Sequence, residues 1–424
     1  MQLNTCTVAS RDTNTLRKRL MLAGCALLGA TSAVHAEDTK DWQVDSAVLY
    51  YKESGGRVQA IEPVINVKHD FGDEHVLGLK FTYDSLTGGS PTGGVVATSP
   101  QTTVSPSGHS RTTIAAGDLP LDSNFKDQRF ALDGNWSQPI GNDFKVALGA
   151  GFSHERDWTA ATANAGVSRD FLQHNLTVNL GVSGEYDRIN PVGGVPQALS
   201  NASLGLKSGN ESRNGVGGQL GFTVVMSRNW LVRANFNYDR SSGYQTDPYK
   251  ILSVVNADGT VANSLYESRP DKRARKSVYL ESRVGLRNDD ALSVSYRRMQ
   301  DDWGIHSDTA EVKYHYAIDD RTYVEPHVRW YQQTAADFYQ VMLHSGAAVP
   351  TFASADSRLG AFSAPTVGIK VGRTDEDGNE LSVRLDYYQQ TGKNVAKGPG
   401  ILAPYNLYPG MKAVMLQVGW RFGL

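Results

Sequence analysis

The chain has 424 residues, a formal charge of −2, 42 glycines, 19 tyrosines and only two cysteines. So mild a charge gives no reason to expect a nucleic-acid partner. Beyond the N-terminal segment nothing approaches the ~18 consecutive apolar residues of a membrane-spanning helix.

Arg17, Lys18 and Arg19 precede the apolar run LMLAGCALLGATSAVHA and then Glu37. A basic n-region, an h-region and small residues at Val34 and Ala36 predict a signal peptide over residues 1–36, cleaved near Ala36. LAGC at 22–25 also resembles a lipoprotein acylation box, but Leu20 to Gly24 is too short a run for its h-region. Removing residues 1–36 takes away four basic residues, one acid and both Cys6 and Cys25, leaving 388 residues at a charge of −5. Without cysteine there is no disulfide framework, thiol nucleophile or Cys-based metal site. An exported chain rich in Gly and Tyr is then either a soluble periplasmic domain or an outer-membrane barrel.

Strand periodicity separates the two. In chain order, 43–52 is weakly patterned, HVLGLKFTYD (75–84) alternates well, and 159–168 is again weak. Segment 322–333 sets Val324, Pro326, Val328 and Trp330 against Tyr323, Glu325, His327, Arg329 and Tyr331. Segment 381–388 sets Leu381, Val383, Leu385 and Tyr387 against Ser382, Arg384 and Asp386. The last segment does the same with Val414, Leu416, Val418, Trp420 and Phe422. One apolar face tipped with aromatics and one charged face describe a strand between lipid and a wet lumen.

Seven short polar turns, beginning with FGDE (71–74) and IGND (140–143), alternate with connections that are mostly longer. The latter fall at 52–57, 85–124, 156–159, 189–212, 241–270, 301–305, 334–362 and 392–410. The expected fold is all-β: a transmembrane antiparallel β-barrel of about sixteen strands, with short periplasmic turns and long extracellular loops. Residues 37–424 form one unit without a domain boundary. Segment 85–124 carries only three charges between Asp84 and Phe125, and Ser85, Gly88, Gly89, Pro91, Gly93, Gly94, Pro106, Gly108 and Arg111 punctuate it. A long outer loop of this kind is predicted to fold into the mouth as a constriction or plug.

The alternation assigns Lys80, Asp84, Arg129, Asp133, Arg233, Glu281, Arg283, Glu311, Lys313, Glu325, His327, Arg329, Arg384 and Asp386 to the lumen. Arg287 is assigned there as well. Both signs are mixed, so these residues are either a path for small polar or ionic solutes or a ladder of structural ion pairs. RPDKRARKS (269–277) is expected to draw anions to the mouth or to meet lipopolysaccharide phosphates in the outer-membrane lipid. No HExxH or GxSxG motif occurs. Ser107, His109 and Asp118 share residue types with a hydrolytic triad, which a Ser/Thr-rich loop supplies by chance. His315 and His327 with Glu311 or Glu325 have metal-ligand types, but structural pairing accounts for them better. No catalytic residue, metal or cofactor is assigned.

The stretches LYYKESGGRVQAIEP (49–63), LKFTYDSLTGGSPTGG (79–94), PQTTVSPSG (100–108) and AGDLPLDSNFKDQR (116–129) together resemble the Gram-negative outer-membrane family known as domain of unknown function 3570. Genes of that family often neighbour those of a small lipoprotein, a thioredoxin-like protein and a flavin transferase. The resemblance therefore implies a role beside extracytoplasmic redox or metal handling. Three functions are open: a porin-like or substrate-specific channel, a scaffold barrel docking an exported lipoprotein or redox partner, and, weakest, a barrel hydrolase.

Overall fold

The computed structural model describes residues 42–104, 111–141 and 143–423. The predicted signal peptide lies outside the described residues, as do Pro106, Ser107, Gly108 and His109. Sixteen strands close into a barrel in which each pairs with its neighbours in sequence and the last pairs with the first. They begin with β1 (Trp42–Glu53), β2 (Gln59–Asp70), β3 (Val76–Pro91), β4 (Leu121–Ile140) and β5 (Phe144–Glu155). Next come β6 (Trp158–Phe171), β7 (Leu176–Ile189), β8 (Glu211–Ser227), β9 (Trp230–Gly243), β10 (Lys272–Gly285) and β11 (Ala291–Asp301). The wall is completed by β12 (His306–Ala317), β13 (Thr322–Gln333), β14 (Phe362–Thr374), β15 (Glu380–Gly392) and β16 (Met411–Gly423). Closure leaves no open edge, which a lipid environment requires.

Alternation sets the two faces of the wall. On β15, Leu381, Val383, Leu385 and Tyr387 point outward and stay 41–55% exposed, whereas Arg384 and Asp386 point inward and are buried. The same exposed apolar series runs along β13 and β16. Trp42, Trp230 and Trp420 mark its short-turn end; Tyr186, Tyr238 and Tyr296 mark the other. An apolar band between two aromatic girdles is the outer surface of a bilayer-spanning barrel.

The weak segments 43–52 and 159–168 are strands as well. β6 is rich in Ala and Thr, so its faces differ little in side-chain size, yet β5 and β7 pair with it along its length.

Two sequence assignments need correction. The loop expected at 85–124 is shorter, because β3 runs on to Pro91 and β4 starts at Leu121. Ser85, Gly88, Gly89 and Pro91 therefore belong to the wall rather than to a loop. Backbone pairing needs no side chain, so a Gly-rich stretch extends a ladder that hydropathy no longer marks. The register shifts between Gly88 and Ser90, a bulge in which Gly88 takes φ +113° and a Cβ would lie 2.4 Å from the Arg57 carbonyl oxygen. Glycine relieves both constraints. The second correction is Arg287, which lies in the β10–β11 turn and not on the inner wall.

At the long-loop end, the described residues of the connections 92–120, 244–271, 334–361 and 393–410 pack together into a dome. Val95, Val96, Val255, Val341, Met342, Leu402 and Leu407 form one buried cluster drawn from all four. A second cluster joins Leu252 and Leu265 to Leu343, Ala353 and Ala355. A three-stranded sheet of Val261–Tyr266, Ile251–Val255 and Leu343–His344 crosses between two of the connections. Tyr408 then packs on the inward-facing Phe362 and Ala364, which ties the dome to the wall.

Candidate functional site: the lumen and its dome

All fourteen residues assigned to the lumen lie on inward positions of barrel strands, and the ladder explains why they meet. Side chains directly opposite on antiparallel strands stand ~5 Å apart on the same face. Register pairs Lys80 with Asp133, Asp84 with Arg129, Arg233 with Glu281, Glu311 with Arg329 and Lys313 with His327. Asp84 and Arg129 form a buried ion pair. Arg233 reaches Glu281 at 3.3 Å, and Lys313 reaches Glu311 at 3.4 Å along its own strand. His327 accepts from Arg384 at 2.9 Å, while Arg384 also donates to Asp386 at 3.3 Å.

The inner wall changes character along its axis. Toward the short-turn end Lys80, Arg233, Glu281, Arg283, Glu311, Lys313, Glu325 and Arg329 remain half-buried, so solvent reaches them. Toward the dome the inward residues Leu49, Tyr51, Glu53, Ala60, Leu86 and Gln390 are at most 6% exposed. The loops cover that level; lower down, Lys370 and Arg384 are also buried among their ion-pair partners, while the eight charged residues named for the short-turn end stay half-exposed.

The dome holds a charge lattice that sequence reasoning missed. Arg269 pairs with Glu267 at 2.6 Å and with Asp356 at 2.9 Å. Arg358 pairs with Asp356 and, at 2.8 Å, with Asp247, whose own N–H donates to Glu267 at 2.7 Å. Ser354 donates to Glu267, and Lys250 donates to the Pro91 carbonyl at the end of β3. Three cations and three carboxylates thus balance inside an otherwise apolar dome. Burial opposes the charge on Asp356, but Arg358 and Arg269 outweigh it and hold its carboxyl well below the usual carboxylate range. Burial and then repulsion from Arg358 push the Lys250 ammonium below its ordinary value. The sequence carried only a faint signal: charged residues scattered through loops, with no spacing to relate them.

The constriction residues divide. Gly93 and Gly94 lie in the dome, and a Cβ on Gly93 would sit 2.5 Å from the Ile251 carbonyl oxygen. Arg111 opens one arm of a small hairpin, Gln101–Val104 with Arg111–Ile114. RPDKRARKS is split: Arg269 is buried in the dome lattice, and on β10 alternation buries Arg273 and Arg275, with Arg273 paired to Asp301, whereas Lys272 and Lys276 point outward and are exposed.

His315 lies 3.9 Å from Glu325 and His327 lies with Arg384 and Asp386, so the two histidines do not converge on one metal position. Among the described residues, the carboxylates of Asp127, Glu155 and Asp157 do lie within 4.8 Å of one another at the upper lumen. Asp157 also accepts from Tyr249 at 2.5 Å.

No curated protein matches the chain in sequence. Among solved structures it is similar to a variant of the ferric enterobactin receptor from Pseudomonas aeruginosa, at 9% identity and a TM-score of 0.43 over 84% of this chain and 54% of the receptor. The chain thus spans about half the length of that receptor. It is similar to CdiB from Acinetobacter baumannii at 7% identity and a TM-score of 0.47, covering 90% and 60% of the two chains. It is also similar to a variant of the TodX monoaromatic hydrocarbon channel at 9% identity and a TM-score of 0.39, covering 90% and 89%. The family described as "Protein of unknown function (DUF3570)" matches residues 17–422, and the chain belongs to that family.

Proposed function

We propose that the protein is an outer-membrane transport barrel for small polar or ionic solutes, closed at its outer mouth by the loop dome in the resting state. The observation that carries this reading is the half-buried set of opposed charges on the lower inner wall. A barrel of this size encloses an aqueous interior unless it is filled. Charges held half-exposed inside it offer a hydrated, mixed-sign surface that passes polar solutes and rejects apolar ones. The apolar band and girdles support a bilayer-spanning barrel, and the strand-to-loop asymmetry supports a dome on its extracellular side.

Conductance in planar bilayers tests the reading. The full chain is expected to be closed or to open rarely, and replacing residues 93–119 by a short Gly-Ser linker is expected to raise conductance. That exchange leaves β3 and β4 whole. A wide, steady current from the full chain would overturn the closed mouth, and silence from both proteins in both polarities would overturn the channel.

The buried charge lattice favours one second reading: a barrel that never opens and serves as a scaffold for an exported lipoprotein or redox partner. Crosslinking in intact cells would then recover one discrete partner, and repeated recovery of none would count against it.

A further inference from the structure

The rim of the barrel sorts charge across its wall, and on one arc of that rim three outward cations have no carboxylate partner among the described residues. On β10 the inward Arg273 and Arg275 are buried and Arg273 is paired with Asp301. The outward Lys272 and Lys276 are exposed. On β9, Arg240 is exposed and stands opposite Ala274, diagonal to both lysines. On β11, Arg298 stands opposite Val278, diagonal to Lys276, and its side chain is 52% exposed. Diagonal positions of this kind lie ~7–8 Å apart, so the four cations occupy one patch across three neighbouring strands.

Two carboxylates touch the patch. Asp308 chelates Arg298 at 2.8 and 3.0 Å, which fixes that guanidinium, and Asp302 accepts from the Ala274 amide at 2.9 Å. Arg240, Lys272 and Lys276 have no carboxylate partner among the described residues. Directly beneath them on the same outer face are Tyr238 and Tyr296, 45% and 42% exposed, and then Val278, Leu280 and Val294 of the apolar band. Cations at this height therefore sit where the headgroups of the outer leaflet meet its acyl chains.

We propose that Arg240, Lys272, Lys276 and Arg298 form a site for a phosphorylated glycolipid of the outer leaflet. Its phosphates bridge the three unpaired cations, and its acyl chains lie along Val278, Leu280 and Val294. The partner is a lipid because the patch is continuous with the lipid-facing band and faces away from the lumen. The inference rests on the outer-membrane placement proposed above but not on transport.

The test uses the full chain purified in detergent, with bis-phosphorylated lipid A, dephosphorylated lipid A and inorganic phosphate as probes, read by native mass spectrometry and by the shift in melting temperature. The cluster variant carries Arg240→Gln, Lys272→Gln and Lys276→Gln. A control carries Lys52→Gln, Lys126→Gln and Arg188→Gln, removing as many outward cations from three separated strands. Heat-modifiable gel mobility establishes that each variant is folded. Each cation beside an anionic headgroup contributes severalfold, so the cluster variant is expected to bind bis-phosphorylated lipid A about 100-fold more weakly. The control is expected to bind as the wild type does, and dephosphorylated lipid A and inorganic phosphate are expected to produce no shift. Equal losses in cluster and control variants would reduce the patch to diffuse attraction and overturn the site. Undiminished binding of dephosphorylated lipid A, or of the cluster variant, would overturn it too. A barrel that binds lipid A but never conducts would refute only the transport reading.

Discussion

Asp356 is the residue on which the dome turns. It is 3% exposed and accepts from both Arg269 and Arg358, so removing its carboxylate leaves Arg269 with Glu267 alone and Arg358 with Asp247 alone, and the closed lattice one positive charge in excess. Breaking one partner of a buried ion pair typically costs about 3–5 kcal/mol, because the remaining charge is left uncompensated. Asp356→Ala is therefore expected to abolish hydrogen-exchange protection in 247–269 and 351–360, with the strands still protected. Equal protection in the variant would show that the apolar clusters hold the dome without the lattice. The same carboxylate sets a pH dependence. Its folded-state value lies below the ordinary 3.8, so its contribution is complete above that pH and is lost as pH falls below it. Asp356's share of dome protection should accordingly be flat from neutrality down to about pH 4 and fall in stronger acid, whereas Glu267, which burial holds above the ordinary carboxylate value, titrates at higher pH. A loss centred near neutrality would assign the lattice's pH dependence to another group. None of this was legible in the sequence, because Asp247, Glu267 and Asp356 are brought together only by the folding of two separate loops.

Strands were the legible elements, and for a physical reason. A two-residue period between lipid and lumen writes itself into every strand whose two faces differ, as in β13, β15 and β16. It fades where both faces carry small residues, as in β6, or where glycine carries the ladder onward without side chains, as at the end of β3. The inner positions follow from the same period: alternation alone puts Lys80, Arg233, Glu311 and Arg384 on the inner face. What the period could not give was register, and hence which opposite charge each would meet. The two faces also predict opposite responses to a charge. Leu385→Arg places a cation on the lipid face and is expected to destabilise the barrel by about 2–4 kcal/mol. Ser295→Arg, on the inner face between Glu281 and Glu311, should be close to neutral. Urea titrations of the protein refolded into lipid vesicles measure both, and similar effects from the two variants would contradict the assignment of faces.

For the molecule as a whole, the question is whether the dome is a gate or a permanent seal. Its loops enter from different hairpins, so opening requires the connections 244–271 and 334–361 to part. They are joined by backbone hydrogen bonds between Ser268 and Ala353, at 2.9 and 3.0 Å in the two directions. A hydrogen-bonded antiparallel pair of this kind holds its Cα atoms about 5.5 Å apart, within the span a disulfide bridges. Both predicted leader cysteines fall before residue 37, so the barrel offers no competing thiol. Ser268→Cys with Ala353→Cys should thus lock the two loops together when oxidised and release them under reducing agent. If the dome is the gate, voltage-induced openings in planar bilayers disappear in the oxidised variant and return on reduction. Openings that persist through oxidation would place the moving part elsewhere, most directly in the hairpin Gln101–Val104 with Arg111–Ile114, which that crosslink does not restrain.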